Sequence, residues 1–200
     1  MPATSDREPR LSADARDLTR FVRTYDDALD TGFCARLIEA FDSLSAFQAR
    51  NGRGHMKSLE ASAWTELNVS KTADAGLKNY FHERISEYFA RYNTDLQLTL
   101  EIPYRVRTED LRIKRYVVEQ GDQFQPHFDS LDYTSNRYLV FLWYLNDVLE
   151  GGETVFPDLD LKIAARTGRL LVFPPFWMFQ HAGRPPLSGD KYIISTYMLF

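Results

Sequence analysis

A chain of 200 residues with 44% apolar and 26% charged side chains has globular composition, and in one domain it can bury about 70% of its unfolded surface. Its 24 basic and 28 acidic side chains leave a net charge of −4, so no global positive field exists to hold nucleic acid. The longest purely apolar run, Tyr138 to Leu145, has eight residues against the roughly 20 that cross a bilayer, so no membrane partner is expected.

Residues 1–17 (MPATSDREPRLSADARD) are polar and predict a flexible tail. They hold no apolar stretch of signal-peptide length, and Cys34 is the single cysteine, which excludes a disulfide framework. Together these point to a reducing, cytoplasmic setting. Phe21 and Val22 begin a short apolar segment. Asp30 or Thr31 is a cap for a helix in which Phe33, Leu37, Ile38, Phe41 and Leu44 share one face and Cys34 is at least half-buried. Phe47 to Glu60 carries two glycines and little periodicity and predicts an exposed loop with at most a short strand; His55 within it is a candidate substrate contact. A second helix is expected over Ala73 to Tyr92, where Leu77, Tyr80, Phe81, Ile85, Tyr88 and Phe89 recur at helical spacing and His82 faces solvent.

From about Thr99 the pattern changes to short strands: Leu111–Val118, Phe124–Phe128, Arg137–Leu145, Glu153–Phe156, Leu159–Ala164, Arg169–Phe173, Met178–Ala182 and Lys191–Phe200. The breaks between them are rich in Gly, Pro, Asp and Ser. Short strands at this spacing, without intervening helices, argue for a closed or two-sheet antiparallel structure. The fold class is therefore mainly β with N-terminal helices (α+β), a jelly roll of about eight strands. A single domain spans 18–200, with helical support over about 18–98 and the jelly-roll core over about 99–200.

In Gln125-Pro126-His127-Phe128-Asp129 the histidine and aspartate stand two apart, so an extended strand projects both from one face. His181 follows 54 residues later. Two imidazoles and one carboxylate are the donors of the facial triad of non-haem Fe(II) oxygenases. Three protein ligands leave three adjacent positions on an octahedral ion, two for a chelating co-substrate and one for O2. Each histidine taken singly reads as an ordinary hydrogen-bonded strand residue; the combination carries the inference. Lys191, ten residues past His181, opens the apolar strand KYIISTYMLF. Lysines there commonly end in solvent, but a hairpin through RPPLSGD would fold this one back beside His181, within reach of a distal carboxylate.

Taken in order, PHFD, YLND with GGETVFP, GRLLVFPP, HAG and GDKYI resemble the prolyl 4-hydroxylase branch of the 2-oxoglutarate-dependent Fe(II) dioxygenases, over roughly Leu111 to Phe200. The resemblance implies a double-stranded β-helix core, with His127, Asp129 and His181 as the iron ligands and catalytic centre. It implies Lys191 as the cation for the far carboxylate of 2-oxoglutarate, O2 as the other co-substrate, and ascorbate as an optional accessory. Tyr197 stands where family members often carry Trp and would line the pocket. There are two departures. Val118 occupies the position of a common Tyr, with Tyr116 two residues earlier on the same strand face, and Val140 replaces a Thr that often holds the co-substrate. Tyr116, Tyr144 and Ser195 are the candidates for the remaining hydrogen bonds to 2-oxoglutarate.

The implied activity is hydroxylation of an unactivated C–H bond of a prolyl or other residue in a peptide or protein, releasing succinate and CO2. Halogenating relatives lack the carboxylate that Asp129 supplies. The alternatives are hydroxylation of a free amino acid or small metabolite, and a cupin-like metal-binding jelly roll without oxygen chemistry, which has no need of Lys191. Phe128, Leu142, Phe173 and Phe176 are expected to form an apolar wall, Gly151 and Gly152 a turn, and Arg137 a solvated strand start. Arg50, Arg53, Lys57 and Asp132 are placed around the site entrance, where their charges permit a polar or acidic partner. Nothing in the sequence indicates an oligomeric state.

Overall fold

The computed structural model describes residues 17–52, 59–105 and 107–200. Nearly all of the predicted tail, together with Arg53, His55 and Lys57, lies outside the described residues. The first long helix, α1 (Thr31–Ser43), starts where Asp30 accepts a hydrogen bond from the Phe33 N–H at 2.9 Å; it buries Cys34, Leu37 and Phe41. The second predicted helix, Ala73 to Tyr92, forms, and a short helix that the sequence does not signal precedes it. A single turn, α2 (Val69–Thr72), is separated by extended Ala73 from α3 (Ala75–Leu96), which Asp74 caps. Helix α3 runs on past Tyr92 because Leu96 continues its buried stripe, and Gln97 ends it in the left-handed region at φ 48°. No helix among the described residues is long and apolar enough to cross a membrane.

The strands are β1 (Arg23–Tyr25), β2 (Gln48–Gly52), β3 (Ala63–Asn68), β4 (Arg112–Tyr116), β5 (Phe124–His127), β6 (Arg137–Tyr144), β7 (Thr154–Phe156), β8 (Leu161–Ile163), β9 (Leu170–Phe173), β10 (His181–Gly183) and β11 (Lys191–Leu199). They form two antiparallel sheets, a large one in the order β1-β9-β6-β11-β4-β3-β2 and a small one in the order β5-β10-β7-β8. Three strands of the large sheet come from the half read as helical. Strands β1 and β2 are its edges, and edge pairing through the main chain needs few apolar side chains, so their polar sequences carry no alternation to read.

Other boundaries moved for local reasons. Among the described residues of 99–111 no strand forms apart from an isolated bridge of Thr108 to Met198. Instead the Asn93 side chain clamps Ile102 to α3 through both its amide groups. The predicted strands at Leu159–Ala164 and Met178–Ala182 shrink to β8 and β10, each preceded by a 3-10 turn, Pro157–Leu159 and Trp177–Phe179. Pro157, Pro174 and Pro175 lack the N–H that a ladder would use.

The continuous apolar run of β6 reflects burial on both faces. Leu139, Phe141 and Trp143 pack with α1 and α3, and the Trp143 ring lies 5.4 Å from that of Phe81. Val140, Leu142 and Tyr144 join the second core layer between the sheets. That inner layer holds the site.

Candidate active site

Strands β5 and β10 are neighbours in the small sheet, and their register makes His127 and His181 direct cross-strand partners, with ring centroids 4.3 Å apart. Each Nδ1 faces a backbone carbonyl, Gln125 at 2.8 Å for His127 and Phe179 at 3.1 Å for His181. A carbonyl only accepts, so the proton sits on Nδ1 and the Nε2 lone pairs point inward. Strand β5 stops at His127, shorter than expected, and Asp129 is held by other means. Its N–H donates to the Pro175 carbonyl at 3.0 Å, and its own carbonyl accepts from the Thr134 hydroxyl at 2.8 Å and from Arg137 at 3.2 Å.

The Asp129 carboxylate lies 3.6 Å from His127 Nε2 and 3.4 Å from His181 Nε2. Oδ1 accepts from the Tyr197 hydroxyl at 3.0 Å, whereas Oδ2 is buried with no hydrogen-bond partner. A buried carboxylate oxygen without a donor, facing two imidazole lone pairs, is a cost that a divalent cation would remove. One donor atom from each residue lies within 4.8 Å of the others, and the two-nitrogen, one-oxygen set fits Fe(II). Burial, then the neighbouring His127, pushes His181 down to about 4, so it is a neutral ligand at pH 7. Burial opposes ionisation of Asp129, but His181, His127 and Lys114 together hold its carboxyl below the usual carboxylate range.

A narrow cavity of about 40 Å³, lined by His127 and His181 with the Asp129 carboxylate beside them, runs between the sheets to Lys191. The hairpin expected to bring Lys191 there does not form. His181 lies in the small sheet and Lys191 in the large one, paired with Tyr116, so the ammonium faces Gly183 from across the sandwich. Lys191 is 2% exposed, with Nζ 5.3 Å from the Tyr116 ring and 5.6 Å from that of Tyr144. Burial pushes it down to about 7, with Glu153 pulling the other way.

Tyr116 and Ser195 line the same cavity, and neither side chain hydroxyl has a hydrogen-bond partner among the described residues. No strand shift is needed for Tyr116, because β4 ends there and Val118 begins the following turn. Tyr144 is excluded from the ligand-holding role: its hydroxyl donates to Thr154 at 2.7 Å, and Thr154, unread in the sequence, lines the cavity instead. Leu142 and Phe173 form part of the apolar wall as expected, but Phe128 and Phe176 do not line it. Phe124, stacked 3.6 Å from the His127 ring, Val140 and Ile193 complete it.

Arg137 is not a solvated strand start. It forms a two-bond ion pair with Glu109 (2.6 and 2.7 Å) and lies 3.8 Å over the Tyr197 ring. It thereby braces both Tyr197 and the Asp129 main chain. Arg50 is likewise committed, to the fully buried Asp122 carboxylate, and does not offer its charge to a partner. Burial and Asp129 raise the Tyr197 pKa well above its ordinary value, so the phenol stays a donor. Tyr197→Phe is therefore expected to weaken Fe(II) affinity about 10- to 100-fold without unfolding the protein. Titration of variant and wild type with Fe(II) under anaerobic conditions checks this, and equal affinities would assign the phenol no orienting role.

The sequence was compared with known proteins. Residues 111–199 match the profile of the 2OG-Fe(II) oxygenase superfamily. The chain is 27% identical over 208 residues to prolyl 4-hydroxylase subunit alpha-1 of Gallus gallus, covering 95% of this chain and 37% of that protein. It is 31% identical over 111 residues to the Bos taurus counterpart, covering 45% of this chain and 20% of that protein. The chain thus spans less than half the length of the curated relatives it matches. Among solved structures, a Trichoplax adhaerens prolyl hydroxylase in complex with a hypoxia inducible factor peptide fragment aligns over 90% of this chain and 84% of its own, with a TM-score of 0.70 at 16% identity. A Pseudomonas putida prolyl-4-hydroxylase aligns over 90% of this chain and 92% of its own, with a TM-score of 0.66 at 14% identity. These structures share the double-stranded β-helix fold. Residues 111–199 thus match the 2OG-Fe(II) oxygenase superfamily, and the chain is similar in sequence to prolyl 4-hydroxylases and in fold to solved prolyl hydroxylases.

Proposed function

We propose that this chain is an Fe(II)- and 2-oxoglutarate-dependent hydroxylase acting on a prolyl or other residue of a peptide or protein. The observation that carries the reading is a cavity with two imidazoles at one end and a buried ammonium at the other, with the unpartnered Asp129 carboxylate oxygen 3.4 Å from His181 Nε2. His127, Asp129 and His181 would hold the iron. When bound, Fe(II) supplies the coupling of 2-oxoglutarate oxidation to hydroxylation of a C–H bond, with succinate and CO2 released.

The chain's own residues do the rest. Lys191 meets the distal carboxylate of 2-oxoglutarate, and Tyr116 and Ser195 offer hydroxyls to the same molecule. Phe124, Leu142 and Phe173 exclude water around the reacting groups. A cupin-like metal protein without oxygen chemistry would gain nothing from an ammonium buried at that distance. A peptide substrate is supported by the open groove beside Asp129, bounded by Asn51, Tyr133 and Arg137, and by the peptide held in the Trichoplax adhaerens structure.

The test is succinate release. Purified protein with Fe(II), 2-oxoglutarate and O2 is expected to form succinate slowly on its own and faster with a substrate peptide, which gains 16 Da. A chelator should stop both. Absence of succinate under every condition would remove the proposal.

A further inference from the structure

Lys114 stands in the wall shared by the inner cavity and the outer groove, lining both. It reached that place through strand parity. Tyr116, Lys114 and Arg112 alternate along β4 on the face that meets Lys191, Ile193 and Ser195 of β11. The residue is 9% exposed, and its ammonium lies 5.4 Å from the Trp64 ring and 5.7 Å from that of Phe124.

The surrounding charges are otherwise spoken for. Arg112 pairs with Glu66 and Asp110, Arg137 pairs with Glu109, and the second Glu66 oxygen accepts from the Trp64 indole at 3.2 Å. Asp129 belongs to the triad. Lys114 alone among the groove's cations has no carboxylate within ion-pair distance among the described residues. Burial also lowers its pKa, and the charges of Glu66 and Asp129 offset that only in part. The aromatic faces offset part of that cost but supply no counter-charge.

Resting on the hydroxylase reading above, we propose that Lys114 binds a carboxylate of the prime substrate, so that the enzyme selects acidic substrates. The co-substrate already has Lys191 at the closed end of the cavity, whereas Lys114 is reached from the groove where a substrate enters. A carboxylate suits it better than a phosphate: one ammonium balances one charge, and Glu66, Glu109, Asp110 and Asp129 would repel a dianion. The carboxylate can come from an acidic side chain in a peptide or from a free chain terminus.

Matched probes separate these sources. One pair is a pool of N-acetylated, C-amidated tripeptides with central glutamate against the same pool with central glutamine. The other is a pool with a free terminal carboxylate against its amide. Each is read by quenching of intrinsic tryptophan fluorescence, to which Trp64 beside Lys114 contributes, and by stimulation of succinate release.

Wild type is expected to prefer the carboxylate member of at least one pair by tenfold or more, the worth of a charge-assisted hydrogen bond. Lys114→Met should reduce that preference to within about twofold, and Lys114→Arg should restore it in part. A wild type without preference, or a preference that survives in Lys114→Met, overturns the proposal. So does a Lys114→Met variant whose 2-oxoglutarate requirement rises tenfold while its probe preference stays, which would put the residue in the co-substrate site. If wild type released no succinate, the hydroxylase reading would fall, and the fluorescence titrations would still decide whether Lys114 selects carboxylates.

Discussion

Asp129→Ala is expected to cut turnover to below about a hundredth of wild type, since loss of even an outer-shell partner costs 10- to 100-fold and Asp129 is placed as a direct ligand. The fold should survive. The anchors of this segment are backbone groups, namely the Asp129 N–H on Pro175 and its carbonyl under Thr134 and Arg137, and these remain in the variant. Without metal, the Asp129 carboxylate is kept ionised by its neighbours and accepts from Tyr197, so removing it should lower the apo melting temperature modestly while unfolding stays cooperative. The rise in melting temperature that Fe(II) produces in wild type should vanish. Thermal scans with and without Fe(II), beside succinate assays, check all three. Retained activity would break the assignment of the triad, and collapse of the apo protein would make Asp129 a structural residue.

Lys191→Met is expected to raise the 2-oxoglutarate requirement about 10- to 150-fold, the equivalent of one charge-assisted hydrogen bond of about 1.5–3 kcal/mol. Methionine preserves most of the volume of a residue that is 2% exposed, so the loss reports charge rather than a void. Wild type should discriminate strongly against a 2-keto acid that lacks the distal carboxylate, and the variant should not.

The pH dependence has a definite sign. Burial lowers Lys191 to about 7 in the folded protein. Only the protonated form attracts a carboxylate, so 2-oxoglutarate binding should be strongest below pH 7 and weaken by up to about tenfold per unit above it. Stability of the ligand-free protein runs the other way. The unfolded lysine stays protonated to about pH 10.4, so stability should rise between pH 7 and that value as the folded form sheds its proton. A 2-oxoglutarate affinity flat from pH 6 to 9 would mean that a different cation holds the co-substrate.

Much of the site was legible because its parts are short-range. The two-residue spacing of His127 and Asp129, the cap at Asp30, and the continuous apolar run of β6 are each read from local sequence. The glycines at 151 and 152 adopt φ 69° and 71°, the turn their pairing suggested. Signals failed at β1, an edge strand whose main-chain pairing places few demands on side chains, and at β3, while β2 falls in the segment where a short strand was allowed.

By itself, then, the order of residues determined that two imidazoles, one carboxylate and one amine were present at spacings compatible with an iron and a diacid. It also determined that a strand-rich half would carry them. Tertiary structure decided how they meet. It put His181 and Lys191 on opposite sheets rather than on one hairpin, turned Tyr197 onto Asp129 from 68 residues away, neutralised Arg50 and Arg137 with distant acids, and left Lys114 only partly compensated. The reason is physical. Strand parity says which residues share a face, but only the packing of one sheet on another says which charges share a cavity, and in that low-dielectric space the partner sets the role.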